Sequence, residues 1–147
     1  MYWLLSISVL IGALASIEDL RRRTISNKTV AAAFALGLAA QTVLYGLKGA
    51  GSSLAGTVIG FLVFFIFFLL GGMGAGDIKL MAGFGAVLGW GQTLQAAFLT
   101  AIIGAVFASL YLLVRKMRRQ AKRDGEPEAI PYAPAITLGV LLSFAAK

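Results

Sequence analysis

The sequence contains no cysteine and no histidine. Their absence excludes disulfides, thiol nucleophiles, Cys/His zinc sites and every Ser–His or Cys–His catalytic arrangement. Acidic residues are also scarce, since the 147 residues include only six Asp and Glu against 13 Lys and Arg. We expect no metal and no cofactor, so any chemistry must use carboxylates, hydroxyls, lysine or arginine.

Long polar stretches are missing too. The chain is 59% hydrophobic and only 13% charged, with a mean hydropathy of +0.88. This balance is typical of a membrane protein, and no polar stretch is long enough to build a separate globular core. One polytopic membrane domain is therefore predicted over residues 1–147. The net charge of +7 does not predict nucleic-acid binding, because no aromatic and basic platform accompanies it.

Apolar runs recur along the whole chain and predict an all-α membrane fold with about six transmembrane helices in one bundle. A spanning helix usually needs ~20 residues, so the fourth run is short. The predicted segments are Tyr2–Ile17, Thr29–Leu47, Leu54–Gly72, Ile78–Gly91, Thr93–Val114 and Ile130–Ala146.

Basic residues give an independent prediction of topology, because Lys and Arg concentrate in cytoplasmic loops. One cluster follows the first segment and a second follows the fifth. Both lie on one side only if segments two to five make an even number of crossings. Six spans leave only Lys48 and Lys147 outside, which predicts a multi-pass protein of the inner (cytoplasmic) membrane whose basic loops touch anionic headgroups. The clusters are Arg21, Arg22, Arg23 and Lys28, then Arg115, Lys116, Arg118, Arg119, Lys122 and Arg123.

The first segment has an alternative interpretation as a secretory signal peptide, because it contains the small-residue run Ala13-Leu14-Ala15. Two features oppose cleavage there. No Lys or Arg precedes the apolar run, and an arginine triplet follows it directly, which favours a helix with its N-terminus outside.

Three of the six acidic residues stand beside apolar segments. Glu18 and Asp19 close the first helix, and Asp77 precedes the fourth segment. Ionisable residues at membrane depth are costly and usually functional. Under the six-span topology both aspartates reach the cytoplasmic interface, where we expect them to face each other. The remaining acids are predicted to be solvated in a cytoplasmic loop over Gln120–Pro131; they are Asp124, Glu126 and Glu128.

Paired carboxylates matter because two close ones do not both ionise easily, so the pair can act as base and acid in one site. The ionised member would deprotonate a water while the protonated member polarises the scissile carbonyl. Helix position predicts an ionised Asp77 at a helix N-terminus and a protonated Asp19 at a helix C-terminus. The arginine triplet beside Asp19 opposes the second effect.

Glycines precede Asp77 over Gly71–Gly76. They have two interpretations: close approach of an extended peptide to the backbone, or a flexible connector. Lys79 also has two, since it either tunes the carboxylates or anchors the helix at the interface.

Two further glycine pairs have GxxxG spacing and predict close helix packing; they are Gly56 with Gly60 and Gly85 with Gly89. Such packing serves contacts within one chain and between chains alike. It therefore predicts no particular oligomeric state.

Gly74-Ala75-Gly76-Asp77 resembles the GxGD motif of the intramembrane aspartyl proteases that process type IV prepilins and archaeal preflagellins. The segment from Asp19 to Asn27 resembles the family's first catalytic segment, and Ile130 to Ile136 resembles the start of its last helix. The resemblance implies that Asp19 and Asp77 are the catalytic pair, with Gly74, Gly76 and Lys79 forming the motif around the approaching substrate. It implies a prepilin or pseudopilin precursor as substrate, losing a short basic leader at the cytoplasmic face.

Two departures from the family pattern stand out. Ser26 occupies a position where the family usually has proline, and we expect it to loosen the turn before the second helix. The long bifunctional members also carry an N-terminal insertion with paired cysteines and methylate the new N-terminus. This chain has neither feature, so methyltransferase activity is not expected, and its size is closer to the short peptidases of tight-adherence (Flp) pili or secretion pseudopili.

Three other functions remain open on the sequence alone. The aspartates suit a small proton- or cation-coupled transporter, although the helix centres contain no acids. A scaffold protein that holds anionic lipid and an inactive family member are the others. A further hypothesis assigns Glu126 and Glu128 to binding the basic leader.

Overall fold

The described residues are 2–71, 73–119 and 132–146 of a computed structural model, and within these ranges every regular element is a helix. The all-α prediction is therefore confirmed for this part of the chain. The predicted loop over 120–131, with its three acids, lies outside the described residues. In order, the helices are α1 (Tyr2–Arg22), α2 (Asn27–Leu69), α3 (Ala75–Leu88), α4 (Trp90–Arg119) and α5 (Ala133–Ala145).

Helix α2 is two helices joined by a reversal at Gly46. This glycine has φ 63° and ψ −146°, a left-handed conformation that favours glycine. In a continuous helix Gln41 and Gly49 would lie about 12 Å apart, yet Gly49 packs directly on the Gln41 carbonyl. We call residues 27–45 the first arm of α2 and residues 47–69 the second arm. The prediction that the second and third segments are separate helices is thus confirmed. The predicted loop of several residues between them is wrong, because a single glycine makes the turn.

Helix α3 lies between the two arms and forms the centre of the bundle. Every residue from Leu80 to Leu88 is buried. The first arm donates a hydrogen bond from Gln41 Nε2 to the Val87 carbonyl at 2.8 Å. The second arm donates one from Ser53 Oγ to the Ala86 carbonyl, also at 2.8 Å. Both polar side chains are buried, and these hydrogen bonds provide the partners that buried polar groups require.

Glycines let the second arm approach α3 at backbone distance. A Cβ at Gly56 would overlap the Gly85 carbonyl oxygen, and one at Gly60 would lie 2.6 Å from the Met81 carbonyl oxygen. The two contacts run in opposite chain directions, so the arm and α3 are antiparallel. The predicted role of the GxxxG pairs in close packing is confirmed within the chain.

Helix α5 runs antiparallel to α1. Thr137 Oγ1 lies 3.4 Å from the Gly12 carbonyl oxygen. One turn nearer the start of α5, Ala133 reaches Asp19. The first residues of α5 therefore meet the last turn of α1.

Helix α5 is also antiparallel to α4. Gln92 Nε2 donates to Ser143 Oγ at 3.3 Å near one end. Toward the other end, Gly104 packs on the Tyr132 ring. Because α1 and α4 both oppose α5, they are parallel, and their basic C-terminal ends lie at the same end of the bundle. The parallel directions of α1 and α4 thus agree with the prediction that the two basic clusters lie on one side.

Within the described ranges, three helices are long and apolar enough to cross a membrane: α1, α2 and α4 over Trp90–Tyr111. Large apolar side chains such as Leu62 and Ile66 face outward, as expected for lipid-facing surfaces. The chain is therefore a membrane protein. Helices α3 and α5 have only 14 and 13 residues, and six complete spans stay a prediction.

Candidate active site

Asp19 lies in the last turn of α1 and is buried, with 7% of its surface exposed. Its Oδ2 atom accepts a hydrogen bond from the Ala133 amide at 3.0 Å. That amide is the first of α5, and amides at a helix N-terminus have no partner within the helix. The bond therefore stabilises the carboxylate and fixes its orientation toward the interior of the bundle.

Asp77 is the third residue of α3 and is buried to the same degree, with 6% exposed. Its Oδ2 atom accepts a hydrogen bond from the Gly74 amide at 3.1 Å. Gly74 is the N-cap, so the aspartate makes the reciprocal half of a capping box. The GxGD spacing therefore lets Asp77 cap the start of α3, in addition to placing a carboxylate at the site.

The two carboxylates interact electrostatically. Burial raises the pKa of Asp77 from 3.8 to about 7; the Gly74 hydrogen bond opposes this shift, and the negative charge of Asp19 adds to it. Asp77 belongs to the first turn of α3, ahead of the helix's apolar residues. Desolvation outweighs the helix N-terminus that we expected to keep Asp77 ionised, so that expectation is wrong. The structure brings the two predicted residues together, with a proton available on Asp77 near neutral pH.

Glycine at positions 74 and 76 is not required by the fold. Gly74 has an ordinary φ of −84°. A Cβ at Gly76 would meet only the Ile25 side chain, at 3.5 Å, which is a normal contact distance. In the described part of the preceding loop, Gly71 has a left-handed φ of 75°. The backbone at positions 74 and 76 carries no side chain, so another polypeptide segment can approach it closely beside Asp77.

Comparison with known proteins assigns the chain to a family. A sequence model described as the type IV leader peptidase family matches residues 4–109, a range that contains both. The chain belongs to this family.

Named relatives match over nearly the whole chain. It is 33% identical over 140 residues to the prepilin leader peptidase/N-methyltransferase of Bacillus subtilis (strain 168), covering 94% of this chain and 52% of that protein. It is 30% identical over 149 residues to the protein of the same name from Legionella pneumophila, covering 97% and 49%. The chain thus spans about half the length of these relatives. No solved structure matches.

In this family member, Ser26 is the N-cap of α2. Its φ of −66° is the value that proline would impose. Its Oγ accepts from the Lys28 amide at 3.1 Å, and its own amide donates to Glu18 Oε2 at 2.9 Å. Proline makes neither bond. The expected loosening of this turn is therefore wrong, because the serine replaces a ring constraint with two hydrogen bonds.

Glu18 fastens the end of α1 to the start of α2. Besides the Ser26 amide, it accepts from Thr29 Oγ1 at 2.9 and 3.0 Å. Glu18→Ala should lower the free energy of unfolding by roughly 1–3 kcal/mol, because both donors lose their acceptor. Glu18→Gln keeps an acceptor oxygen and should recover most of the loss. Thermal unfolding in detergent measures both, and equal stability of the three proteins would refute the role.

Lys79 is exposed, and its Nζ donates to Asn27 Oδ1 at 3.2 Å. The bond joins the first turn of α3 to the start of α2. This contact between helices differs from both predicted roles, which stay predictions.

Tyr132 is a site residue that sequence reasoning named only as part of the last motif. Burial and, second, the negative charge of Asp77 raise the pKa of its phenol. The next residue, Ala133, supplies the amide that binds Asp19. Adjacent residues at the start of α5 therefore interact with the two carboxylates, Ala133 by a hydrogen bond and Tyr132 electrostatically.

Among the described residues, no group of three or more Asp, Glu, His or Cys side chains is placed to hold a metal ion. The described titratable groups that interact with one another there include the two aspartates and the Tyr132 phenol. Their arrangement suits proton transfer to and from a bound water.

Proposed function

We propose that the chain is an intramembrane aspartic endopeptidase that removes the short leader peptide from type IV prepilin-like precursors, of the Flp or pseudopilin type. The observation that carries this proposal is the burial and mutual interaction of Asp19 and Asp77 at the basic end of the bundle. Membership of the type IV leader peptidase family supports the reaction. The names of the relatives, prepilin leader peptidases, support the substrate class.

The reaction uses one proton shared by the pair. Ionised Asp19, held by the Ala133 amide, takes a proton from water as the water oxygen attacks the scissile carbonyl carbon. Asp77 donates its proton to the carbonyl oxygen, giving a neutral tetrahedral intermediate. Collapse returns that proton to Asp77, and Asp19 gives its proton to the leaving amine as the C–N bond breaks. The leader leaves with a new carboxylate and the mature protein with a new amine.

The backbone before Asp77 is the approach path of the peptide. Gly74 is exposed and neither Gly74 nor Gly76 carries a Cβ, so an extended substrate reaches the carboxylates without a side chain in the way. A scissile peptide must be extended to expose its carbonyl. This favours the substrate-approach interpretation over a simple connector.

The proposed topology is six spans in the inner membrane, with the N-terminus outside and the active site at the cytoplasmic face. The reversal at Gly46 supports two spans within α2, since its arms are about 28 and 34 Å long at 1.5 Å per residue. The parallel basic ends of α1 and α4 support the orientation, and they suit contact with anionic headgroups.

The rate of leader removal should fall as the pH rises through about 7, because Asp77, whose folded pKa is raised to about 7, then loses the proton that it must donate. Above that pH we expect a decline of about tenfold per pH unit in the apparent rate of the pair. Initial rates in detergent between pH 5 and 9 measure it. A flat profile above pH 7 would refute the assignment of Asp77 as the proton donor.

The test of the function itself is co-expression with Flp-type and pseudopilin precursors, followed by gel shift and mass of the product. Leader removal in membranes with the chain, and none without it, is expected. The same mass tests the expectation that this chain adds no methyl group to the new N-terminus. Proton- or cation-dependent transport without cleavage of any precursor would favour the transporter.

A further inference from the structure

The hydrogen bond that fixes the Asp19 carboxylate comes from a different helix. Ala133 is the first residue of α5, and its amide donates to Asp19 Oδ2 at 3.0 Å. A shift of α5 along α1, or a rotation of its first turn, would lengthen or break this bond. The orientation of the carboxylate therefore depends on how α5 is seated on α1.

One turn away, a pair of hydroxyl groups connects the same two helices. The side-chain oxygens of Ser16 in α1 and Thr137 in α5 lie 3.3 Å apart, and both residues are half-buried. Ser16 precedes Asp19 by three residues and Thr137 follows Ala133 by four, spacings that place side chains on one face of a helix. The hydroxyl pair and the carboxylate–amide pair therefore lie side by side along one interface.

The Thr137 hydroxyl also contacts the residue that binds Asp19. Its Oγ1 lies 2.8 Å from the Ala133 carbonyl oxygen and 3.4 Å from that of Gly12. A hydroxyl has one proton to donate, and the nearer carbonyl takes it, so Ser16 Oγ donates to Thr137 Oγ1. Hydrogen bonds therefore run in series from Ser16 through Thr137 to Ala133. The amide of that residue then donates to Asp19.

We infer that Thr137, through its contact with Ser16, is a positioning residue for the Asp19 carboxylate. The inference rests on the proposed function, in which Asp19 takes the proton from water. That step requires the accepting oxygen at a fixed place, since a displacement of about 1 Å can cost roughly a hundredfold in rate. In a membrane, hydroxyl groups between helices have few other partners, which favours their contact with each other.

The direct test is Thr137→Val, which keeps the shape of the side chain and removes its hydroxyl. We expect kcat for leader removal to fall about tenfold and KM to change less than about twofold, because a reacting group is misplaced while substrate contacts stay. Thr137→Ser keeps the hydroxyl and should retain most of the wild-type rate. Ser16→Ala removes the other partner and keeps the test independent of how Thr137→Val folds. It should match Thr137→Val, and the double variant should be hardly slower than either.

Gly12 offers a test that removes no polar group. A Cβ at this position would overlap Thr137 Cγ2, so Gly12→Ala must rotate the threonine side chain or shift α5. Either movement breaks the series of hydrogen bonds, and kcat should fall as in Thr137→Val. Adding Thr137→Ser removes the overlapping methyl group and leaves contacts of 3.1 and 3.2 Å, which shifts of a few tenths of an ångström relieve. The double variant should therefore recover activity although it carries one more change.

Thr100→Val is the matched control. Thr100 is buried in α4 and packs on Gly139 of α5, but its hydroxyl has no hydrogen-bond partner among the described residues. Loss of this hydroxyl should leave kcat nearly unchanged.

Three outcomes would overturn the inference. A wild-type kcat in Thr137→Val would do so while the proposed function stands. Equal losses of kcat in Thr137→Val, Thr137→Ser and Thr100→Val, at normal protein levels, would mean that these side chains serve helix packing alone. Failure of the wild-type chain to cleave any precursor would overturn the proposed function along with it.

Discussion

Replacing Asp19 or Asp77 by Asn is expected to reduce leader removal by about a thousand-fold or more. Asn has nearly the same shape as Asp, but it neither accepts a proton from water nor donates one to a carbonyl at neutral pH. General acid–base catalysis contributes about 10²- to 10⁴-fold per group, and here the two groups work on one shared proton. The double variant should be hardly slower than either single variant, because the pair acts as a unit. Precursor accumulation by gel shift, with initial rates in detergent, measures all three.

Glu18→Gln is the matched control for this experiment. It removes a carboxylate adjacent to Asp19 in sequence while keeping an acceptor for Ser26 and Thr29. It should cleave nearly as well as the wild-type chain. Wild-type rates in both Asn variants would contradict the proposed chemistry, and loss of activity in only one would replace the pair by a single carboxylate.

The meeting of the two aspartates was predictable because independent features agreed. Basic clusters after the first and fifth segments fixed a common side, and Asp19 and Asp77 both lie at that side. The resemblance to the prepilin peptidases named the same two residues. The sequence did not predict which effect on the pKa of Asp77 is larger. Its position at a helix N-terminus favours the ionised form, and its burial opposes that form. The degree of burial depends on how the other helices pack around α3, which is a tertiary property.

Other expectations were wrong or incomplete because they considered single residues without the contacts that these residues make in the fold. Ser26 was expected to loosen a turn that proline would fix, but Glu18, eight residues earlier, accepts its amide. The sequence did not indicate that Gly46 alone reverses the chain direction within α2, because a single glycine in an apolar run is compatible with a continuous helix. Tyr132 was passed over because its nearness to Asp77 joins parts of the chain that are far apart in sequence.

Gly56→Ala should be among the most destabilising single-methyl changes available to this chain. The added Cβ would overlap the Gly85 carbonyl oxygen and lie 2.8 Å from the Gly89 carbonyl carbon. Both are backbone atoms of the buried helix α3, so neither swings away as a flexible side chain would. Overpacking of this kind typically costs about 1–3 kcal/mol, and we expect a value at or above the upper end. The second arm must then move away from α3.

Gly51→Ala, in the same arm, is the matched control and should have the opposite sign. A Cβ at Gly51 meets nothing within 4 Å, and alanine in a helix interior is more stable than glycine by roughly 0.5–1 kcal/mol. Thermal unfolding in detergent should therefore move the two midpoints in opposite directions from the wild type. If both variants gained stability equally, the second arm would not lie at backbone contact with α3.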